Sequence, residues 1–199
     1  MNNEANLQLS PSEMELVRNA DWLLTKNNII GKVYGMFGDV AEQVQVQGEF
    51  GPSPKISRGE NYEGLPWVML DYPRLFGKED IFAIRVFFWW GHFFSITLHL
   101  KGNYLQQNKQ RILDRFSLLE KNEFHLCISN DEWRHEFTID NYVPVGEVGH
   151  TTLKEILKAA TFCKLAVKIP LDEWSRVKIL LSELYEVIFA VTGRQLPSR

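Results

Sequence analysis

Five histidines, His92, His99, His125, His135 and His150, carry the side chains of this chain that titrate nearest neutral pH, and their spacing sets the first limit on its chemistry. None falls into an HxxxH or HExxH pattern, and Cys127 and Cys163 lack the spacing of zinc ligands. No metal and no cofactor is expected. Nucleophile elbows, dinucleotide fingerprints and paired-carboxylate motifs are absent, and the IGK at residues 30–32 lacks the glycine spacing of a phosphate-binding loop. What remains is scattered. His99 could move protons beside Arg85 and Thr97, Asp71 and Arg74 flank Tyr72 and Pro73 at a strand end, and Lys55, Arg58, Glu60 and Tyr62 lie in a glycine- and proline-rich stretch. Each has a plain structural reading as well: a satisfied strand histidine, an ion pair at a turn, a solvated connection.

These residues meet only if the block RVFFWWGHFFSITLHL, residues 85–100, folds as a hairpin of definite register. A slip of one residue would exchange the faces of one strand relative to the other. Pairing Trp89 with Phe93 across a Trp90–Gly91–His92 loop gives one wholly apolar face: Phe82, Ile84, Val86 and Phe88 with Phe94, Ile96, Leu98 and Leu100. The other face then collects Ala83, Arg85, Phe87 and Trp89 with Phe93, Ser95, Thr97 and His99. A two-residue loop would mix polar and apolar groups on both sides, so the odd-length loop is preferred. Exposed Phe87, Trp89 and Phe93 beside Arg85 and His99 would be a ligand or partner site. The competing reading is that the same face is covered, by the 48–66 segment or by a second subunit in a homodimer.

The positioning elements read as α+β: a mostly antiparallel sheet of about 5 to 7 strands, with an N-terminal αα-hairpin and a C-terminal helix packed on one face. Ser10, Pro11 and Glu13 form a capping box at a first helix, and Asn27 with Asn28 separates it from a second whose apolar positions are Ile30, Val33, Phe37, Val40 and Val44. Gly31, Gly35 and Gly38 beside that stripe would allow a close neighbour. Residues 48–66 hold four glycines and three prolines without apolar period and read as a long loop, with at most a short edge strand at Lys55 to Arg58. Period-two alternation predicts strands from Trp67 to Leu100, a second hairpin folding FHLCISN onto EWRHEFTIDNYV about Asn130 and Asp131, and a strand at FCKLAVKI. Helices are predicted over residues 103–121, after Thr151 or Thr152, and from Asp172 to Gly193.

The chain has 199 residues, 45% hydrophobic and 24% charged, which suits a single domain over 1–199 with residues 1–9 disordered. A net charge of -3 provides no general attraction for nucleic acid or anionic lipid. With no leader pattern and no long apolar run, a soluble cytoplasmic protein is the expectation. Two function classes follow. The first is a non-catalytic binding or protein-interaction domain that takes an unknown small molecule or protein on Arg85, Phe87, Trp89, Phe93 and His99. The second is a small enzyme in which the 48–66 loop brings Lys55, Arg58 or Tyr62 toward His99 and Asp71; base stacking on the aromatic face ranks behind both.

Overall fold

Alternation of apolar side chains from Trp67 onward builds most of an antiparallel sheet that has seven strands among the described residues. The computed structural model describes residues 7–44 and 52–194. The strands are β1 (Lys55–Tyr62), β2 (Leu65–Phe76), β3 (Ile81–Trp89), β4 (Phe93–Lys101), β5 (His125–Cys127), β6 (Tyr142–Pro144) and β7 (Phe162–Pro170). Their order is β1-β2-β3-β4-β7-β5-β6. The helices are α1 (Pro11–Arg18), α2 (Ala20–Val44), α3 (Gly102–Asp114), α4 (Phe116–Lys121), α5 (Val145–Val148), α6 (His150–Ala159) and α7 (Val177–Thr192).

The aromatic hairpin takes the register that its apolar face demands. Trp89 pairs with Phe93, Phe88 with Phe94 and Val86 with Ile96, leaving Trp90, Gly91 and His92 as the loop. Phe82, Ile84, Val86 and Phe88 then share a face with Val68, Leu70, Leu98 and Leu165, and α2, α3, α6 and α7 bury it. The Tyr185 hydroxyl donates to the Tyr72 carbonyl at 2.9 Å inside this core and ties α7 to β2. Gly193 ends α7 as its sequence suggests. Cys127 and Cys163 are buried free thiols, and burial pushes the Cys163 thiol up to about 12.

Four expectations need correction. Residues 48–66 are not a long loop: residues 48–51 lie outside the described residues, and Lys55–Tyr62 is the edge strand β1, turning through Glu63 and Gly64 into β2. Both turn residues have positive φ, 50° and 79°, the geometry of a tight two-residue hairpin. An edge strand that shows polar side chains to solvent carries no apolar period, which is why β1 is hard to read. Next, the helical break falls at Asn19, whose side chain accepts from the Trp22 amide at 3.1 Å, and α2 runs unbroken through Asn27 and Asn28. Exposed asparagines cost a helix little once tertiary packing holds its far end. The capping box at Ser10 and Glu13 forms, yet α1 buries none of its residues, so the helical cover is α2, α3, α6 and α7 rather than an N-terminal pair.

Third, the second hairpin does not form. β5 pairs with β6 and β7, and residues 128–141 depart from the sheet as irregular backbone. Fourth, Gly31, Gly35 and Gly38 meet nothing within 4 Å of an added Cβ, so they admit no close neighbour. Of the disorder expected for residues 1–9, residues 1–6 lie outside the described residues, and 7–9 run exposed into α1 without regular structure.

The glycine that packing does require is Gly59. It sits opposite Trp67, and a Cβ there would come within 2.5 Å of the indole nitrogen. Gly59→Ala is expected to destabilise the protein by about 1–3 kcal/mol through overpacking, whereas Gly35→Ala in α2 should stabilise it by roughly 0.5–1 kcal/mol. Urea denaturation midpoints of the two variants provide the comparison.

Candidate functional site

The second face of the sheet is built row by row from strand register. Asp71, Arg85, Thr97 and Ala166 form one row across β2, β3, β4 and β7; Ala83, His99 and Lys164 form the next. On the other side, Met69, Phe87, Ser95 and Lys168 align, followed by Trp67, Trp89, Phe93 and Pro170. Most charged groups thus occupy one half of the face and the aromatic rings the other, where Lys168 is the exception.

This face is not open surface. Residues 128–141 lie across it, and Phe87, Trp89, Phe93, Asp71, His99 and Lys164 are all buried. The cover therefore comes from the same chain, and from a segment that the sequence suggested was part of the sheet. Its irregular backbone suits the task, because it can turn carbonyls and carboxylates inward toward cations that would otherwise be unpaired. The Lys164 ammonium donates to the Arg134 carbonyl at 2.5 Å. Glu132 accepts from the His99 imidazole at 2.9 Å and from Lys101 at 2.7 Å. Tyr62, at the end of β1, donates its hydroxyl proton to Glu136 at 2.6 Å and accepts from the His135 amide at 2.9 Å.

Asp71 and Arg85 pair through two hydrogen bonds, 2.7 and 3.2 Å. The third guanidinium nitrogen of Arg85 lies 3.4 Å from His135 Nε2. Arginine can only donate, so that imidazole nitrogen accepts and His135 is neutral. Burial, reinforced by Lys164, holds the His135 imidazole well below 6.5 and brings His99 down to about 4. Neutral His99 then donates Nε2–H to Glu132. Burial, with Arg85 nearby, brings Lys164 down to about 8. Burial and the Glu136 carboxylate raise the Tyr62 phenol, which stays protonated and can donate. The space enclosed by Arg85, His99, Glu132, His135 and Lys164 is about 10 Å³, room for about one water.

Around the aromatic half the cover stops short, leaving an open groove of about 820 Å³. Trp89, His92 and Phe93 from the hairpin, Arg134, Glu136 and Phe137 from the cover, Lys168 from β7 and Glu63 from the β1–β2 turn line it. His92 stacks on Trp89 at 3.7 Å between ring centroids, and Phe93 meets Phe137 edge-on at 5.2 Å. Lys168 stands 5.9 Å over the Phe137 ring and has no carboxylate partner among the described residues. Arg134 is already engaged by Glu136 at 2.5 Å and Asp140 at 2.8 Å.

Of the residues singled out from sequence, Arg85, Asp71, Phe87, His99 and Tyr62 come together under the cover, and Trp89 with Phe93 reaches the groove. Arg58 does not join them: its guanidinium lies 5.9 Å over the Tyr34 ring of α2, on the helical side of the sheet. Lys55 is exposed at the sheet edge opposite Asp71. The 55–62 segment is therefore an edge strand beside the face rather than a lid above it. Sequence reasoning missed Glu132, His135, Glu136, Phe137, Lys164, Lys168 and His92. Lys164 and Lys168 were within reach, since alternation in FCKLAVKI puts them opposite the core-facing Cys163, Leu165, Val167 and Ile169. Among the described residues, no group of three or more His, Cys, Asp or Glu side chains is placed to hold a metal ion. None of the helices is long and apolar enough to cross a membrane.

No protein-family model matches this chain and no curated protein is similar to it, so the functional argument rests on these residues.

Two outcomes follow from the buried charges. Unfolded imidazoles take up protons near 6.5, while folded His99 resists until about 4. Between those values the unfolded chain binds more protons, so the contribution is complete above pH 6.5 and is lost as the pH falls toward 4. Urea titrations at stepped pH should show a loss on the order of 2 kcal/mol across this window, reduced in His99→Gln. Asp71→Ala strands the Arg85 guanidinium and should cost about 3–5 kcal/mol, whereas Glu155→Ala at the exposed Lys158 pair should leave the urea midpoint nearly unchanged.

Proposed function

We propose that the protein is a non-catalytic binding domain, and that it takes its ligand in the groove at the Trp89–Phe93 end of the covered sheet face. One observation carries this reading: the groove joins packed aromatic side chains to a lysine, Lys168, that no carboxylate among the described residues neutralises. Its volume of about 820 Å³ falls within the range of small-molecule sites. Lys168 calls for an anionic group, and Phe137, Phe93 and the His92–Trp89 stack offer an apolar wall of low conformational entropy. The ligand class is accordingly a small organic acid with an aromatic or otherwise apolar body.

The buried network supports the groove without being the recognition surface. By fixing residues 132–136, it places Arg134 and Phe137 at the groove wall. An enzymatic reading would draw on the His99–Glu132 pair and the low-pKa Lys164 amine. The space beside them has room for about one water, which favours the binding reading.

The test is a panel of benzoate and indole-3-acetate, with neutral indole as the uncharged comparison, followed by saturation-transfer NMR on the full chain. The acids are expected to bind. Lys168→Glu should weaken them by roughly ten-fold or more, as loss of a charge-assisted contact implies, and Phe137→Ala should weaken acid and neutral probe alike. Absence of binding across the panel, or affinity unchanged in Lys168→Glu, would overturn the proposal.

A further inference from the structure

His135 is where the cover is most sensitive to a change of charge. Its ring is buried against the sheet face, with the Phe87 ring 4.9 Å away between centroids. Arg85 of β3 donates to its Nε2, a bond that exists only while that nitrogen keeps its lone pair. The charged groups that bear on the ring are Arg85 and Lys164 of β7, with His99 of β4 joining them in acid. Each nearby carboxylate is engaged elsewhere. Asp71 of β2 is held by Arg85, and Glu132 by His99 and Lys101. Glu136 is held by Arg134, by the Tyr62 hydroxyl of β1 and by the His135 backbone amide rather than the ring.

We infer that residues 128–141 are an acid-operated lid: a proton on His135 Nε2 detaches the segment from the sheet face while the sheet itself stays folded. The proton removes the acceptor of Arg85 and sets an imidazolium against a guanidinium and an ammonium, in a space with room for about one water. The lid is the element that yields. Its backbone from residue 129 to 140 pairs with no strand, whereas β3 and β4 beneath it are paired from end to end. Lifting also rehydrates His99, which burial and Lys164 hold down to about 4, and parts His125 of β5 from the Phe137 ring, 5.3 Å away. The open form then binds protons near pH 6.5 that the closed form refuses, so opening is favoured as the pH falls below 6.5. Lys164, brought down to about 8 by burial, is charged in both forms there and adds no slope. Opening needs no ligand in the groove, although it takes Arg134 and Phe137 from the groove wall.

Amide hydrogen exchange of the full chain, followed by NMR from pH 7 to 5, is the experiment, with protection taken relative to the intrinsic rate at each pH. The reporter is the amide of residue 135, whose bond to the Tyr62 hydroxyl breaks when the lid lifts. In the wild type its protection is expected to fall by roughly ten-fold or more per pH unit below 6.5. In His135→Gln, whose side-chain carbonyl can still accept from Arg85, the fall should be shallower by about ten-fold per unit. Amides of the β3–β4 ladder should stay better protected throughout. Nitrogen-15 imidazole spectra of the wild type need no variant: His135 should stay neutral, with Nε2 bare, for as long as the reporter is protected. Protection independent of pH, an equal slope in His135→Gln, β3–β4 amides exchanging in step with the reporter, or a charged His135 beneath a protected reporter would each overturn the inference.

Discussion

Desolvation of charge on one face of the sheet is the constraint to which the rest of this structure answers. Arg85, Asp71, His99 and Lys164 project from central strands, where β2, β3, β4 and β7 leave no route to water except outward. Buried ionised groups are tolerated only when partners replace the lost water. Asp71 is supplied by the neighbouring strand. The remaining partners must come from outside the sheet, and residues 128–141 supply them as a carboxylate, a neutral imidazole and a backbone carbonyl. A helix laid over the same face would have kept its carbonyls in its own hydrogen bonds. Irregular backbone is the form of cover that charge selects here.

The two faces therefore divide labour through one register. Because Trp89 pairs with Phe93, the apolar set of the hairpin faces the helices without exception, and the charged and aromatic set shares the opposite face, under the irregular cover and beside the groove. The first face provides burial, on the scale of a domain core. The second provides a firmly held scaffold, with the groove where its aromatic rows outrun the cover.

Much of the fold was legible because strand alternation is a direct record of burial. The β3–β4 register followed from asking which loop length keeps Ile84 and Leu98 with other apolar side chains, and the structure has that pairing. The cover was misread for an instructive reason. Trp133, His135 and Phe137 alternate with Arg134 and Glu136 as a strand would, yet the segment lies over the sheet face without pairing into it, with His135 buried, Phe137 half-buried and Trp133 exposed. Alternation reports which side is buried, not where the backbone hydrogen bonds go. β1 escaped for the opposite reason, since its side chains show no apolar alternation while its backbone pairs with β2 from Lys55 to Gly59 and again at Tyr62. Asn27 and Asn28 look like a break only when local propensity is weighed without the packed half of α2 that follows.

Tyr62 joins these two hard-to-read parts. It stands at the end of β1, and its hydroxyl is held by Glu136 and by the His135 amide of the cover. Its ring also meets Phe87 and Trp89 edge-on, at 5.5 and 5.3 Å. An outer strand with one neighbour would ordinarily fray by itself, and an irregular segment would ordinarily lift by itself. Clasped through one phenol, the two lean on each other: lifting the cover costs β1 the hydrogen bonds of its last residue, and fraying β1 takes from Glu136 and the His135 amide the partner they share.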